Sequence, residues 1–497
     1  MMSATFPLRH LAVEATRLLQ ERRGIARYVR NLLREFALQR PSLQLTLFVK
    51  DRRDVAALRL LLASVHPTLA SNATIDCIDA LPTTAAEVAW YPWNFITTPA
   101  QAATMVATVH DIAPMLQHDH RWWKLLKRVK YRARYRRTVQ LAHAIVTDSC
   151  FSRDELVHHL RADPASITVA LLAADDVPLR GSDDAQPLEA AGVGAPFMLT
   201  VGGQDARKNL VMLYEAMGML WARGVRVPLV QCGPALARET RARLGKAPWL
   251  HHVGYVSDDQ LATLYRRCTA LVFPSRYEGF GLPVAEAMRA GAAVICTRES
   301  SLPEVAGSAA RYVAWNDAAA MADAMQELTL HEGARHTLQE AGRRQAARLS
   351  WAATARETLQ AFDRAMVRRQ GAVMSSALAA PGPSAPLAAS AVKGAASPLH
   401  GARDAGTAAA ARCAVAPVHP PDRVFTHALL RPVASGRGRL QHETDGIAQP
   451  RHPRGGQRMR RGVRVNLRLP AGFARIDVAH AGHEPLIEKD RLDGPTP

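Results

Sequence analysis

The stretch ALVFPSRYEGFGLPVAEAM, Ala270 to Met288, opens as a short apolar run and ends in a helical pattern, with a Gly-Phe-Gly turn between. A short apolar run bounded by turn residues reads as a buried strand, and the change of spacing after Pro283 reads as a helix start. Pro283 suits a first helical turn, because its missing N–H has no intrahelical partner there, and Gly279 and Gly281 let the backbone approach a ligand closely. A strand that passes through such a turn into a helix is the unit of a parallel, doubly wound sheet. The turn also presents free amides and the positive end of a helix dipole, both of which attract phosphate. Glu278 and Glu286 flank it, eight residues apart. A diphosphate would repel them, so their natural partners are hydroxyls beside it. Taken alone, the pair fits a helix cap and a solvated glutamate equally well.

The same alternation extends in both directions. LRHLAVEA, LQLTLFVK, MVATVHD and AIVTDS read as strands, with GIARYVRNLLREFALQ and SRDELVHHL as helices between them. The segment PLRGSDDAQPLEAAGVGAP, Pro178 to Pro196, is rich in Pro, Gly and acids and breaks the pattern. Beyond it the alternation restarts with FMLTVGG, a helix from Asn209 to Arg223, VPLVQCG, ALVFPS, the helix at Pro283 and AAVICT. The predicted organisation is α/β. Residues 1–178 form one Rossmann-like domain, 179–195 a linker, 196–353 a second Rossmann-like domain, and 354–370 a helix returning to the first. Two such domains bind a ligand in the cleft between them. Residues 371–497 are rich in Ala, Pro, Gly and Arg and lack Trp and Tyr, a composition predicted to stay disordered. A translated non-native reading frame would have the same composition.

With 497 residues, 48% of them apolar, the chain holds enough material for two or three cores. It has no run of about 18 apolar residues, and MMSATFPLRHLAVEATRLL carries His and Glu where a signal peptide needs a clean apolar segment. A cytoplasmic protein is expected. The six cysteines are scattered, with no C-x-x-C pair, and read as core thiols with no metal site. The net charge of +19 is patchy: residues 371–497 hold 17 Lys+Arg against 9 Asp+Glu, and RWWKLLKRVKYRARYRR, Arg121 to Arg137, holds 9 basic residues and no acid.

A second motif carries chemistry. FMLTVGGQDARKNL ends an apolar strand in Gly202-Gly203 and follows it with Arg207 and Lys208. Arg can offer a bidentate fork and Lys a point charge to a diphosphate. By itself the pair also fits a solvated helix start.

Together and in order, these stretches resemble the retaining glycosyltransferases of family 4, which have the GT-B fold. The resemblance runs through GIARYVRNLL, TVHDIAP, TDSCFSRDEL, VGGQDARKNL, GYVSDDQLATLYRRCTALVFPSRYEGFGLPVAEAM and SLPEVAG, from about Leu8 to Arg369. It implies that Glu278 lies by the donor sugar, that Glu286 holds the ribose hydroxyls, and that Arg207 and Lys208 bind the diphosphate. The amides of Phe280, Gly281 and Leu282, with Gly279 and Gly203 nearby, complete the cradle. Gly24 matches the N-terminal glycine loop facing the phosphates, followed by Arg27-Tyr28, and His110 matches a histidine contacting the donor sugar. Nucleotide selection falls to the backbone around Gly233 and Tyr255-Val256. Two departures are QCGPA after the second strand of the donor domain and Gln204-Asp205-Ala206 ahead of Arg207.

The implied reaction transfers a hexose from a nucleotide diphosphate sugar to an acceptor hydroxyl with retention. Attack comes from the front face, and the leaving phosphate helps to take the proton. No cofactor or metal is implied: the chain has no Asp-x-Asp pair, and its cations take the place of Mg²⁺. ARKNL and GIARY resemble a mannosyltransferase-like branch of bacterial surface-polysaccharide biosynthesis, covering lipopolysaccharide O-antigen and exopolysaccharide. GDP-mannose is the favoured donor, with a UDP-sugar as the alternative, and the acceptor is a saccharide or a polyprenyl-diphosphate-linked glycan. In the basic segment, Trp122, Trp123, Lys124, Lys127 and Arg128 suit an anionic membrane surface at the inner face of the cytoplasmic membrane. An ordinary helix with a solvated basic face has the same sequence. Two other classes share some features: an inactive partner subunit of the same fold, and a basic nucleic-acid-binding protein. The first would not need both glutamates and both cations, and the second lacks a base-reading motif.

Overall fold

The computed structural model describes residues 7–21, 24–116, 122–178, 184–203, 205–245 and 247–379, with side chains undescribed at 122–124 and 372–379. Seven strands form the first sheet: β1 (His10–Glu14), β2 (Gln44–Val49), β3 (Ala73–Cys77), β4 (Val88–Tyr91), β5 (Thr104–Thr108), β6 (Ala144–Thr147) and β7 (Ile167–Val169). Their order is β3-β2-β1-β4-β5-β6-β7, and every pairing is parallel. The second sheet has six: β8 (Met198–Val201), β9 (Leu229–Cys232), β10 (Leu250–Gly254), β11 (Ala270–Phe273), β12 (Ala293–Thr297) and β13 (Arg311–Val313). Its order is β10-β9-β8-β11-β12-β13, again all parallel.

Each sheet is therefore doubly wound, and its order reverses once, between β1 and β4 in the first and between β8 and β11 in the second. Ligands of such sheets bind outside the carboxyl ends of the strands at that reversal. Both central strands of the second sheet are buried, as parallel sheets covered on both faces require.

The opening stretch folds as its residues dictate. β11 runs into the turn, and the helix Leu282–Ala290 starts with Pro283 in its first turn and ends at Gly291, which has φ 87°. Val284, Ala285, Ala287 and Met288 are buried on it. Gly281 caps its start with φ 101°, and a Cβ there would lie 2.7 Å from Leu302 Cδ2. Any other residue would meet both backbone strain and a clash.

Between the sheets, residues 184–195 contain a short helix, Gln186–Ala190, with Leu188 buried; 179–183 lie outside the described residues. The helix Trp351–Ala379 packs against the helix Ile25–Gln39 and the first sheet, with Phe362 edge-on to Phe36 and close to Trp90. It runs past residue 370, where disorder was expected. Residues 371–379 (GAVMSSALA) contain several good helix formers, which extend the helix from its packed portion. The rest of the expected disordered tail, 380–497, lies outside the described residues. Among the described residues no helix is long and apolar enough to cross a membrane.

Candidate functional site

The loops leaving β8 and β11 stand side by side at the reversal of the second sheet. Glu278, on the β11 loop, is 7% exposed and paired with both cations of the β8 loop: Lys208 Nζ lies 2.7 Å from Oε1 and Arg207 Nη1 3.1 Å from Oε2. Ser275 Oγ donates to Oε1 at 2.5 Å, and Arg207 Nη1 also donates to the Tyr277 carbonyl at 3.0 Å. Lys208 Nζ sits 4.9 Å from the centre of the Phe273 ring. Burial alone would push the Glu278 carboxyl up, but Lys208 and Arg207 outweigh it and hold the group below the ordinary glutamate range. The site is thus a buried anion locked between two cations, with its charge fixed at neutral pH.

The turn that follows is open on its donor side. The amides of Phe280, Gly281 and Leu282 make no hydrogen bond to any described residue, whereas the carbonyls of Glu278 and Phe280 accept from Ser301 Oγ at 3.0 and 2.8 Å. Ser301 therefore aims the turn with its N–H groups outward, at the start of the helix, where an anion is favoured. Gly203 packs against Pro234, Gly233 against the carbonyl of Gly202, and the Gly233 amide donates to the Gly254 carbonyl at 2.9 Å. Tyr255, 72% exposed, and buried Val256 follow directly, so the residues expected to select the nucleotide do adjoin one another.

Glu286 projects from the first turns of its helix and is 6% exposed. Tyr265 Oη donates to its Oε2 at 2.8 Å, and Arg27 of the first domain pairs with its Oε1. Gly24, with φ 61°, caps the helix that carries Arg27.

The first domain closes directly on the turn. A Cβ on Gly279 would lie 2.3 Å from the His110 carbonyl oxygen and 3.1 Å from Asp111 Cβ. Ser149 Oγ donates to the Gly279 carbonyl at 2.6 Å, and Phe151 stacks edge-on to Tyr277. Glu304, from the SLPEVAG segment, takes the Cys150 amide at 2.9 Å, so an acid of the second domain caps a helix of the first.

The His110 ring is engaged inside the first domain. Nδ1 lies 2.7 Å from Asp148 Oδ2, and Nε2 lies 2.8 Å from the Pro92 carbonyl. A carbonyl only accepts, so Nε2 carries a proton. Burial opposes a charge on the ring, but Asp148 overcomes it and raises the titration above the ordinary histidine value. Beside it Asp111, which sequence reasoning passed over, has its carboxyl pushed up by burial against the pull of Arg207. Its position next to His110 was the available signal.

In the basic helix Trp122–Leu141, Tyr131 and Tyr135 pack against Phe95, and Thr138 accepts from the Ile96 amide. The opposite side leaves Leu125, Leu126 and Val129 at 54%, 59% and 60% exposure, beside exposed Lys127 and partly buried Arg128. The side chains of Trp122, Trp123 and Lys124 lie outside the described residues.

Residues 186–345 match the family model described as Glycosyl transferases group 1. O-antigen chain mannosyltransferase B of Escherichia coli is 28% identical over 274 residues, which is 53% of this chain and 71% of that protein. The serotype-specific mannosyltransferase WbdA of Escherichia coli is 32% identical over 182 residues, 35% of this chain and 22% of WbdA. The chain thus spans well under two thirds of the length of WbdA. Among solved structures, sucrose-phosphate synthase from Thermosynechococcus elongatus superposes with a TM-score of 0.53 at 17% identity, covering 75% of this chain and all of that one. Residues 186–345 thus carry a Glycosyl transferases group 1 domain, and the chain is a glycosyltransferase with the GT-B fold.

Proposed function

We propose that this protein is a retaining hexosyltransferase that moves mannose from GDP-mannose to a saccharide or polyprenyl-diphosphate-linked acceptor, in the assembly of lipopolysaccharide O-antigen or exopolysaccharide. The observation that carries the reading is the pairing of Glu278 with Lys208 and Arg207 beside the unpaired amides of Phe280 to Leu282. A diphosphate fits between cations and amides, while the carboxylate faces hydroxyls of the sugar. The names of the relatives in Escherichia coli favour mannose.

In this reading Lys208 and Arg207 neutralise charge that builds on the leaving diphosphate, where a donor is worth about 3 to 4 kcal/mol of barrier. The acceptor attacks from the face the diphosphate leaves, and a phosphate oxygen takes the proton of its hydroxyl. Glu278 stays ionised between its cations and supports the reacting face as a hydrogen-bond acceptor. It need not form a covalent bond. Glu286 accepts from the ribose hydroxyls. His110 reaches the donor sugar by exchanging the Pro92 carbonyl for a sugar hydroxyl at Nε2–H. No step uses a metal ion.

The exposed Leu125, Leu126 and Val129 beside Lys127 and Arg128 suit the surface of an anionic membrane, where apolar side chains enter the interface and each cation adds about 1 kcal/mol. That placement would bring a lipid-linked acceptor to the cleft from the inner face of the cytoplasmic membrane. Thermal-shift titration of the purified chain with GDP-mannose and UDP-glucose tests the donor. Stabilisation by GDP-mannose is expected, and a shift with UDP-glucose alone would overturn that choice.

A further inference from the structure

Glu286 is held from both sides of the cleft. Tyr265 fixes one carboxylate oxygen from within the second domain, and Arg27 of the first domain takes the other. Arg27 is itself fixed: Nε and Nη2 form a fork on the two oxygens of Asp176, each at 2.6 Å. Asp176 also accepts from Asn31 Nδ2 at 2.9 Å and from Trp351 Nε1 at 2.8 Å. The adjacent Asp175 accepts the Trp351 main-chain amide at 3.0 Å.

The places of these residues in the chain matter. Asp175 and Asp176 lie where the chain leaves the first domain after β7, and Trp351 begins the helix that returns to it. Both crossings between the domains, and the carboxylate of Glu286, therefore converge on one guanidinium. A forked Arg–carboxylate pair fixes orientation as well as distance, which a lysine cannot do. With one donor on each oxygen, the Glu286 carboxylate cannot rotate, and its remaining lone pairs point in set directions.

We infer that Arg27, oriented by Asp176, is the positioning residue that aims Glu286 at the ribose hydroxyls of the donor, so that ribose is recognised only with the two domains in contact. The inference rests on the assignment of Glu286 to ribose made above. Arg27 touches no reacting atom, and its loss acts on donor recognition rather than on the chemical step.

The test uses the full chain and four variants, Arg27→Gln, Arg27→Lys, Asp176→Asn and Glu286→Gln. The probes are GDP and UDP, each compared with its 2′-deoxy and 3′-deoxy forms by calorimetry, together with steady-state turnover. The wild type is expected to prefer the better-bound ribonucleotide over its deoxy forms by at least about 10-fold, the worth of hydrogen bonds to a charged group. In Arg27→Gln that preference falls below about 3-fold because the ribonucleotide binds more weakly, while kcat at saturating donor stays within about 3-fold. Arg27→Lys restores it only in part, since lysine cannot form the fork. Asp176→Asn changes the preference in the same direction, and carries the test if Arg27→Gln does not fold. Full ribose preference in Arg27→Gln and Asp176→Asn, with its loss in Glu286→Gln, would overturn the role of Arg27 alone. Full preference in Glu286→Gln would overturn the ribose assignment itself, and this inference with it.

Discussion

Lys208 Nζ lies 2.7 Å from Glu278 Oε1, and this contact joins the two loops that flank the reversal of the second sheet. It explains how an acid can sit in a site proposed to hold an anion. The carboxylate is matched by a cation on each oxygen, so the pocket still has positive charge and free amides to offer a diphosphate. Removing either partner upsets both tasks.

Lys208→Ala and Glu278→Ala are each expected to lower kcat at least about 10²-fold with the fold retained, in line with the loss of one preorganised electrostatic group. Turnover assays with circular dichroism as a fold control check this. Glu278→Ala also leaves two facing cations uncompensated. Because the folded Glu278 titrates below its unfolded value, its share of stability is present above the ordinary glutamate value of about 4.3 and is lost as pH falls through the lower folded value.

His110, paired with Asp148, titrates with the opposite sign. A histidine whose folded value is raised contributes stability that is complete below the unfolded value of about 6.5 and is lost as pH rises through the folded value. Asp148→Asn should therefore lower the melting temperature most at pH 6 and progressively less toward alkaline pH. A melting-temperature gap that widens with pH would show that the ring is neutral when paired.

Gly279→Ala places a methyl group 2.3 Å from the His110 carbonyl and forces the two domains apart at the cleft floor. Nucleotide affinity should fall no further than in Arg27→Gln, because the Arg27 contact to Glu286 crosses from the first domain while the proposed phosphate cradle belongs to the second. Turnover should fall about 10²-fold, as is common when reacting groups shift by about 1 Å. Calorimetry with nucleotide, alongside initial rates, separates the two effects.

Leu125→Asp combined with Val129→Asp puts acids on the exposed face of the basic helix. Co-sedimentation with vesicles of acidic phospholipid should drop at least about 10-fold, and binding by the unaltered protein should weaken as salt rises. Activity on a water-soluble saccharide acceptor should be unchanged.

Excess EDTA is expected to leave turnover unaltered, since the proposed leaving-group stabilisation comes from Lys208, Arg207 and main-chain amides. A rate restored only by added Mg²⁺ would contradict that.

Much of this arrangement was legible in the sequence, and the reasons are local. The strand, glycine turn and helix of residues 270–288 each carry their own signal within a few positions: buried apolar residues, a glycine needed for φ 101°, a proline in the first turn. The strands that went unread had weak local signals. β4 is four residues long, β7 and β13 are three-residue edge strands, β3 is half exposed, and β10 holds two histidines. Pairings across the domains were beyond reach for a different reason. Arg27 and Glu286 are separated by 259 positions, and nothing local to either says that they meet. The His110 ring shows the same limit: its place at a strand end was legible, but its two internal hydrogen bonds depend on Pro92 and Asp148 in neighbouring loops.

The proposed reaction is transfer with retention from a nucleotide diphosphate sugar. It is tested most directly by incubating the protein with GDP-α-mannose and a mannose-terminated oligosaccharide and recording the proton NMR spectrum of the new linkage. An α-linked mannose is expected. A β linkage, or no transfer from GDP-mannose while a UDP-sugar is consumed, would contradict the reading of the site.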